Sequence, residues 1–273
     1  MIDSLISDLN LPANRFVFTM GNHEVDRRAT TPEADTKLTE ELSNHKVVDI
    51  YIHHDGEKEP RIVEYNSFRD NYWMRNKADA DLKLTPFQYC VKMVIDGQKV
   101  GINCLNTAWR CFETKDPVVI KDEHKIVMGK SQITDSRDFF EDCQLRLAIG
   151  HHHPMMMRPF EITTLQELIA SNYDAYFTGH THDSDGEYIN RPQGSCFYFT
   201  SPGTLSMNES EERKYRNGFM VIDYEYDKRF VEAQCYYQDD NTDFVKDYNY
   251  GEKGIWHQLL PGSTIIKPMS LSL

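Results

Sequence analysis

Three short apolar segments of this chain each run into a loop with unusual polar residues, and this arrangement constrains the fold more than any other feature. The segments are residues 15–19, 145–149 and 174–178, each the length of one buried strand. The loops that follow are Gly21-Asn22-His23-Glu24, His151-His152-His153-Pro154 and Gly179-His180-Thr181-His182. Because α/β folds place their ligands at strand ends, the sequence predicts an α/β fold whose strand-end loops carry the chemistry.

The rest of the chain alternates between helices and strands without strict βαβ order, which indicates mixed sheets. Helical spacing of apolar residues predicts helices at 2–9, near 35–44, around 65–73, at 133–143 and at 162–170. Further strands are predicted at 89–96, 99–106, 195–200, 218–226 and 230–237. The dipeptide Asp96-Gly97 is a hairpin signal between the first two of these.

Composition narrows the class of protein. The chain has 273 residues, 40% hydrophobic and 12% aromatic, as in an ordinary globular protein. No apolar run approaches the roughly 20 residues that span a bilayer, so no membrane partner is expected. A net charge of −13 repels nucleic acid, which disfavours a nucleic-acid partner. Six cysteines without a CxxC pair predict buried free thiols in a reducing cytoplasm.

Each polar loop has an ordinary structural explanation when taken alone. His180 and His182 can be surface histidines, and Asn22 can be a turn residue that tolerates left-handed backbone. The adjacent imidazoles at 151–153 are harder to explain as packing, because their polar nitrogens need partners. Since successive side chains diverge, at most two of these three can face one site.

Taken together and in this order, the GNHE, HHP and GHTH loops resemble those of the calcineurin-like metallophosphoesterases. The resemblance runs from about Asn14 to about Asp227 and includes the segments 105–109 and 216–223. It implies an α/β sandwich of two mixed β-sheets flanked by helices. It also implies a single, N-terminally truncated domain over residues 1–273, with 240–273 as a C-terminal extension or the start of a linker.

In that family two divalent cations are held by Asp, His and Asn side chains. By motif position, the resemblance implies that the metal ligands here are Asn22, His152, His180 and His182. His182 corresponds to a ligand of the first metal and the others to ligands of the second. His152 is preferred because it lies two places before Pro154, with His151 and His153 as alternatives. Manganese is the expected metal, with iron, zinc, nickel or magnesium as alternatives.

The first loop also implies a catalytic residue. His23 corresponds to the family's general acid, which protonates the leaving oxygen, and histidine is the residue type suited to this near neutral pH. Glu24 is expected to orient the loop rather than contact a metal. Arg27 and Arg28 follow, either as phosphate contacts or as ordinary surface charges.

Two further motifs of the family, D-x-H and GD-x-x-D, normally precede GNHE and do not occur in residues 1–20. Their loss removes the carboxylate that bridges the metals, and the fold is expected to lack its first strand or strands. Three explanations stay open: truncation of a longer protein, a separate chain that supplies the missing ligands, and a degenerate site. The D-x-H string at 122–124 lies in a charged loop and is interpreted as coincidental.

The resemblance therefore implies a metal-dependent phosphoesterase, a hydrolase that acts on a phosphomonoester or phosphodiester by a two-metal mechanism. This chain would carry part of the site. The alternative is a catalytically inactive interaction or regulatory module on the same fold, and a third interpretation is a simple mononuclear metal-binding protein. Substrate specificity is expected to lie in the loops 28–60 and 110–130.

Overall fold

The structure is a computed structural model. It describes residues 6–54, 59–111, 123–182, 184–203, 217–225, 228, 230–241 and 243–259. The chain divides into two compact units, the first formed by residues 1–180 and 189–198 and the second by residues 181–188 and 199–273. Within the described ranges, no helix combines the length and the apolar character that crossing a bilayer requires.

The helices and strands are labelled in chain order. The helices are α1 Pro32–Glu41, α2 His45–His54, α3 Val63–Asn76, α4 Ser131–Thr134 and α5 Pro159–Asn172. The strands are β1 Asp81–Leu84, β2 Gln88–Ile95, β3 Gln98–Leu105, β4 Leu145–Ile149, β5 Ala175–Thr178, β6 Asp185–Arg191, β7 Gly194–Thr200, β8 Gly218–Glu225, β9 Phe230–Gln238, β10 Phe244–Lys246 and β11 Trp256–Leu259. Short 3-10 turns occur at Ala13–Arg15, Pro60–Ile62, Asp138–Phe140 and Pro154–Met156.

The first sheet has seven strands in the order β1-β2-β3-β4-β5-β7-β6. β1, β2 and β3 are antiparallel neighbours, whereas β3, β4 and β5 run parallel, so the sheet is mixed. β2 and β3 form the predicted hairpin, in which Asp96 and Gly97 both have positive φ, at 49° and 78°. This backbone matches the right-handed twist of the flanking strands. The α/β class and the mixed sheet are confirmed.

Helices cover both faces of this sheet because its strands are apolar on both sides. Tyr89 and Val91 of β2 pack in one apolar cluster with Tyr72 and Trp73 of α3. Cys90 lies between them in the chain and belongs to the other cluster, together with buried leucine and isoleucine residues of α5. The alternation follows from the two-residue period of a strand. The carboxyl ends of β3, β4 and β5 therefore lie at the edge of a core that is packed on both faces of the sheet.

The second sheet is antiparallel throughout, whereas the resemblance implied two mixed sheets. β8, β10 and β11 all pair with β9, and each pairing is antiparallel. These strands follow one another closely, and a parallel pairing would need a crossover of a dozen or more residues. Short connections therefore select the antiparallel pairing of β8 with β9 and of β9 with β10. β10 and β11 lie within the region 240–273 and were not predicted.

The strand predicted at 15–19 is wrong. Residues 16–20 have no regular secondary structure, and a 3-10 turn precedes them. Hydrogen bonds that involve side chains, rather than a strand ladder, join this segment to the sheet: the Tyr89 hydroxyl accepts the Phe18 N–H at 3.0 Å. The Thr19 hydroxyl donates to the Leu105 carbonyl at 2.8 Å. The apolar pattern reflects ring packing of Phe16 and Phe18 against Tyr72.

The helix predicted at 133–143 is also wrong, because α4 ends at Thr134 and only a 3-10 turn follows at 138–140. The hydroxyl of Ser136 donates to the Ile133 carbonyl at 2.7 Å. It also accepts a bond from the Asn103 side chain at 2.9 Å. A serine hydroxyl that bonds a nearby backbone carbonyl competes with the hydrogen bonds of a helix. Here Asn103, which is distant in the chain, holds the Ser136 hydroxyl in its non-helical position. The helices predicted around 65–73 and at 162–170 are present and longer than predicted.

Candidate metal centre

The parallel strands β4 and β5 bring two of the histidine loops together. Both strands end at the same edge of the sheet, and backbone bonds continue the pairing past their ends. Gly150 donates to the Phe177 carbonyl at 2.9 Å, and Gly179 donates to the His151 carbonyl at 3.2 Å. Parallel register thus fixes the distance between the loop after β4 and the loop after β5.

Three imidazoles form a cluster at this edge. His151, His152 and His180 each offer one ring nitrogen, and these atoms all lie within 4.8 Å of one another. Nε2 of His151 and Nδ1 of His180 are 3.1 Å apart. The ring centroids of His152 and His180 are 4.4 Å apart. In the described part of the chain, this is the one group of three or more His, Cys, Asp or Glu side chains that a single ion could join.

The loop that carries Asn22 supplies an oxygen to the same place. Asn22 Oδ1 lies 2.9 Å from Nε2 of His151. Two contacts hold the loop: Glu24 accepts the Gly21 N–H at 2.9 Å, and Arg27 donates to the Asn22 carbonyl at 3.0 Å. Glu24 thus bonds the backbone of its own loop, and its role at a metal site stays a prediction. Arg27 bonds the protein backbone rather than standing as a bare surface charge.

His152 is the most deeply placed member of the cluster, with no exposed surface. Its backbone N–H donates to the Thr107 hydroxyl at 2.9 Å, and its carbonyl accepts the Tyr176 hydroxyl at 2.8 Å. In its ring, Nδ1 lies 3.2 Å from the Thr107 hydroxyl and Nε2 lies 3.7 Å from the Cys111 sulfur. Burial, followed by the charges of the neighbouring histidines, holds the pKa of His152 well below its usual value. The ring is therefore neutral at physiological pH, which is the form that binds a metal.

His153, the third of the adjacent histidines, has a different task. Its Nδ1 accepts the Met155 N–H at 3.2 Å and caps the 3-10 turn that begins at Pro154. Its ring packs near that of Tyr198, with centroids 5.2 Å apart. Two of the three adjacent imidazoles therefore join the cluster and one does not, as side-chain divergence predicts.

His180 and His182 both have positive φ, at 69° and 61°. Residues other than glycine adopt this backbone rarely, and it concentrates at functional sites. His182 belongs to the second compact unit. There its ring lies against Gly203, where a Cβ atom would meet Nδ1 at 2.6 Å.

The structure thus brings Asn22, His152 and His180 together from the predicted metal ligands and adds His151, which was an alternative. The catalytic candidate His23 is exposed and follows Asn22 in the same loop. The motifs gave no sign of Thr107 or Cys111, although Thr107 lies in the family-like segment 105–109. The histidine of the 122–124 string contacts the Met157 carbonyl and Glu123, and Asp122 lies outside the described residues.

The donors suit one borderline divalent cation. Imidazole nitrogens are good ligands for zinc, iron and nickel, and three of them with one oxygen match a four-coordinate zinc site. The donors in the group are imidazole nitrogens and one amide oxygen. Manganese and magnesium prefer carboxylate oxygens, which this group of described residues does not contain.

No protein-family model and no curated protein matches this chain. Among solved structures, it is similar to Vps29 from Entamoeba histolytica, solved in complex with Zn²⁺, at 10% identity and a TM-score of 0.23 over 57% of this chain and 58% of that one. Vps29 from Chaetomium thermophilum matches at 8% identity and a TM-score of 0.25, over 63% and 61%. A hypothetical protein from Thermus thermophilus matches at 10% identity and a TM-score of 0.28, over 61% of each chain.

The match thus spans about three fifths of the length of these solved structures. Similarity at this level assigns no activity, substrate or partner to the chain.

Proposed function

We propose that this chain contributes metal ligands to a metal-dependent phosphoesterase, a hydrolase acting on a phosphomonoester or phosphodiester. The supporting observation is the convergence of Asn22, His151 and His180 from three distant loops, with contacts of 2.9 and 3.1 Å. These loops are the ones that resemble the calcineurin-like metallophosphoesterases. Motif order and geometry therefore both favour Asn22 and His180, and the geometry adds His151.

In this proposal Asn22, His152 and His180 hold one divalent cation, with His151 as an additional donor. When bound, such a cation supplies positive charge that stabilises a phosphoryl group as it transfers. His23 serves as the acid that protonates the leaving oxygen, since it is solvent-exposed and follows Asn22 in the same loop. His182 is proposed as a ligand of a second cation.

A second cation and a bridging carboxylate need acidic ligands, and the described histidine cluster contains none. We therefore propose that a separate chain supplies them when the phosphoesterase is assembled. The cation in the histidine cluster is proposed to be zinc, or else iron or nickel, because its donors are imidazole nitrogens and an amide oxygen. We propose a reducing compartment such as the cytoplasm, because the six cysteines, all within the described ranges, form no disulfide.

The test uses the chain tagged in its natural host and purified natively with any chain that accompanies it. Hydrolysis of bis(p-nitrophenyl) phosphate is measured with added Zn²⁺, Fe²⁺, Ni²⁺ and Mn²⁺. Asn22→Ala and His180→Ala are expected to abolish both hydrolysis and bound metal. His23→Ala should lower hydrolysis at least about 100-fold while leaving metal content unchanged, because acid catalysis supplies that order of rate. His54→Ala, an exposed histidine at the end of α2, is the matched control.

A second candidate function is a catalytically inactive interaction or regulatory module. The described histidine group contains no carboxylate, and this favours the second candidate, since carboxylates hold a divalent cation more strongly than uncharged ligands do. In that case no divalent metal supports hydrolysis, and Asn22→Ala and His180→Ala leave the biological activity of the chain unchanged. This result would reject the phosphoesterase proposal.

A further inference from the structure

The Thr107 hydroxyl makes two contacts with a single histidine. It accepts the His152 backbone N–H at 2.9 Å and lies 3.2 Å from Nδ1 of the His152 ring. Thr107 has no exposed surface, so water does not replace either contact. One hydroxyl therefore restrains both the backbone position and the ring orientation of a cluster member.

We propose that Thr107 is a positioning residue that presents Nε2 of His152 to the bound metal. The inference rests on the proposed metal site. It adds which nitrogen of His152 binds the metal and which residue orients the His152 ring. A metal-ligating histidine donates its other ring N–H to an acceptor, which fixes the tautomer. A hydroxyl oxygen has two lone pairs, so Thr107 accepts the backbone N–H with one and the Nδ1–H with the other. Nε2 is then left unprotonated.

The surroundings of Thr107 keep this hydroxyl in place. Threonine is stiff about χ1, and its methyl group lies against Gly150, where a Cβ atom would meet it at 2.9 Å. The preceding residue, Asn106, is bonded on both backbone groups by the Gln132 side chain, at 2.8 and 3.1 Å. Arg61 donates to the Trp109 carbonyl at 2.6 Å on the other side. Hydrogen bonds therefore hold the loop between β3 and residue 111 on both sides of Thr107.

The test compares Thr107→Val, which keeps the shape and removes the hydroxyl, with Thr107→Ser, which keeps the hydroxyl. Zn²⁺ and Co²⁺ affinities of the full chain are measured by competition with a chromogenic chelator. Thr107→Val is expected to weaken Zn²⁺ binding about 10–100-fold, and Thr107→Ser to stay within about threefold of the unsubstituted chain. The visible spectrum of bound Co²⁺ should change in the valine variant and be restored in the serine variant.

A purely structural role for Thr107 would lower the thermal stability of the valine variant without moving the Co²⁺ spectrum or the affinity of the folded fraction. That outcome would overturn the inference. Should Thr107→Val fail to fold, ¹⁵N spectra of the unsubstituted chain with Zn²⁺ decide the matter, with the His152 ring assigned by its absence in His152→Gln. Binding through Nε2 with Nδ1 protonated is expected, and binding through Nδ1 would refute the proposal.

Metal binding by the different variants shows whether the metal site or only the positioning role of Thr107 is wrong. If the unsubstituted chain binds neither Zn²⁺ nor Co²⁺, the metal site itself is wrong and the role of Thr107 falls with it. If the unsubstituted chain binds and loses binding in His180→Ala, while Thr107→Val binds as tightly as before, only the positioning role is wrong.

Discussion

The Tyr176 hydroxyl donates a hydrogen bond to the His152 carbonyl at 2.8 Å, and Gly150 lies directly against that hydroxyl. A Cβ atom on Gly150 would overlap the Tyr176 oxygen and would meet the Thr107 methyl group at 2.9 Å. We expect Gly150→Ala to lower the free energy of unfolding by about 1–3 kcal/mol, because the core must shift to admit the methyl group. It should also weaken Zn²⁺ binding. Urea unfolding and a metal titration measure the two effects.

Gly179 provides the matched control, since it occupies the corresponding place after β5. Among the described residues, no heavy atom lies within 4 Å of a Cβ built on Gly179. Gly179→Ala should therefore change stability by less than about 0.5 kcal/mol. Equal stability of the two alanine variants would contradict the explanation. Gly179 belongs to the GHTH motif, whereas Gly150 lies outside the three motifs. The motifs alone would therefore predict the larger loss of stability at Gly179.

Much of the first sheet could be predicted because its signals are local. The Asp96-Gly97 turn, the apolar segment 145–149 and the start of a histidine loop at residue 151 are each visible within a few residues. The histidine cluster followed from the motif order, since parallel strands place their ends together. None of these predictions depends on contacts between residues that are far apart in the chain.

The remaining features depend on tertiary partners that a sequence does not display. Residues 15–19 are apolar like a strand, but the Tyr89 hydroxyl bonds the Phe18 backbone where a neighbouring strand would. His151 and His153 are equivalent by spacing, and only the capped 3-10 turn separates them. Thr107 is an ordinary threonine until β4 brings His152 to its hydroxyl. Long-range contact, rather than residue type, decides each case.

The different environments of His151 and His153 predict different effects on metal binding. His151 contacts Asn22 and His180 through Nε2, whereas His153 caps a turn. Loss of a residue that hydrogen-bonds a metal ligand weakens metal binding about 10–100-fold. Because His151 is itself a proposed ligand, His151→Ala should weaken Zn²⁺ binding by more than this. His153→Ala should leave the affinity within about threefold and lower stability by about 1 kcal/mol, as for a lost cap. A chelator competition assay measures both variants, and the reverse ranking would show that the cluster is wrongly assigned.

A buried charge network predicts a large effect at Asp35 in α1. Its Oδ1 lies 3.1 Å from Arg61 Nη1 and 2.8 Å from Arg110 Nη2, and both arginine side chains are 2% exposed. Glu59 is the other carboxylate bonded to Arg61, at 3.1 Å. Asp35→Asn leaves two buried guanidinium groups with one carboxylate, and it should cost about 3–5 kcal/mol in the free energy of unfolding.

Glu40→Gln, an exposed position on the same helix, is the control and should change stability by less than about 0.5 kcal/mol. Urea unfolding is measured for both variants at low salt and at about 1 M NaCl. The effect of Asp35→Asn should persist at high salt, because buried pairs are screened much less than exposed ones. An effect that disappears at high salt would place the network at the surface.

Glu161 predicts a pH dependence of stability. Its side chain is fully buried, and its two oxygens accept the Met128 and Gly129 N–H groups at 2.8 and 2.9 Å. Burial nevertheless raises the pKa of Glu161 from 4.5 to about 7, with Asp49 adding to the rise and the two N–H groups and Arg158 opposing it. The folded protein therefore holds the proton more tightly than the unfolded chain. Stability should fall as pH rises from about 4.5 to about 7, by about 3 kcal/mol from this group, and then level off.

Glu161→Gln isolates this contribution, because glutamine does not titrate. Its amide N–H₂ faces a backbone N–H, so the variant should be less stable than the unsubstituted chain at pH 4.5. The difference should narrow as pH rises to about 7, since only the carboxyl-bearing chain loses stability there. Urea unfolding of both proteins in steps between pH 4.5 and 8 measures the difference. A constant difference would mean that the two N–H groups outweigh burial and keep Glu161 ionised throughout.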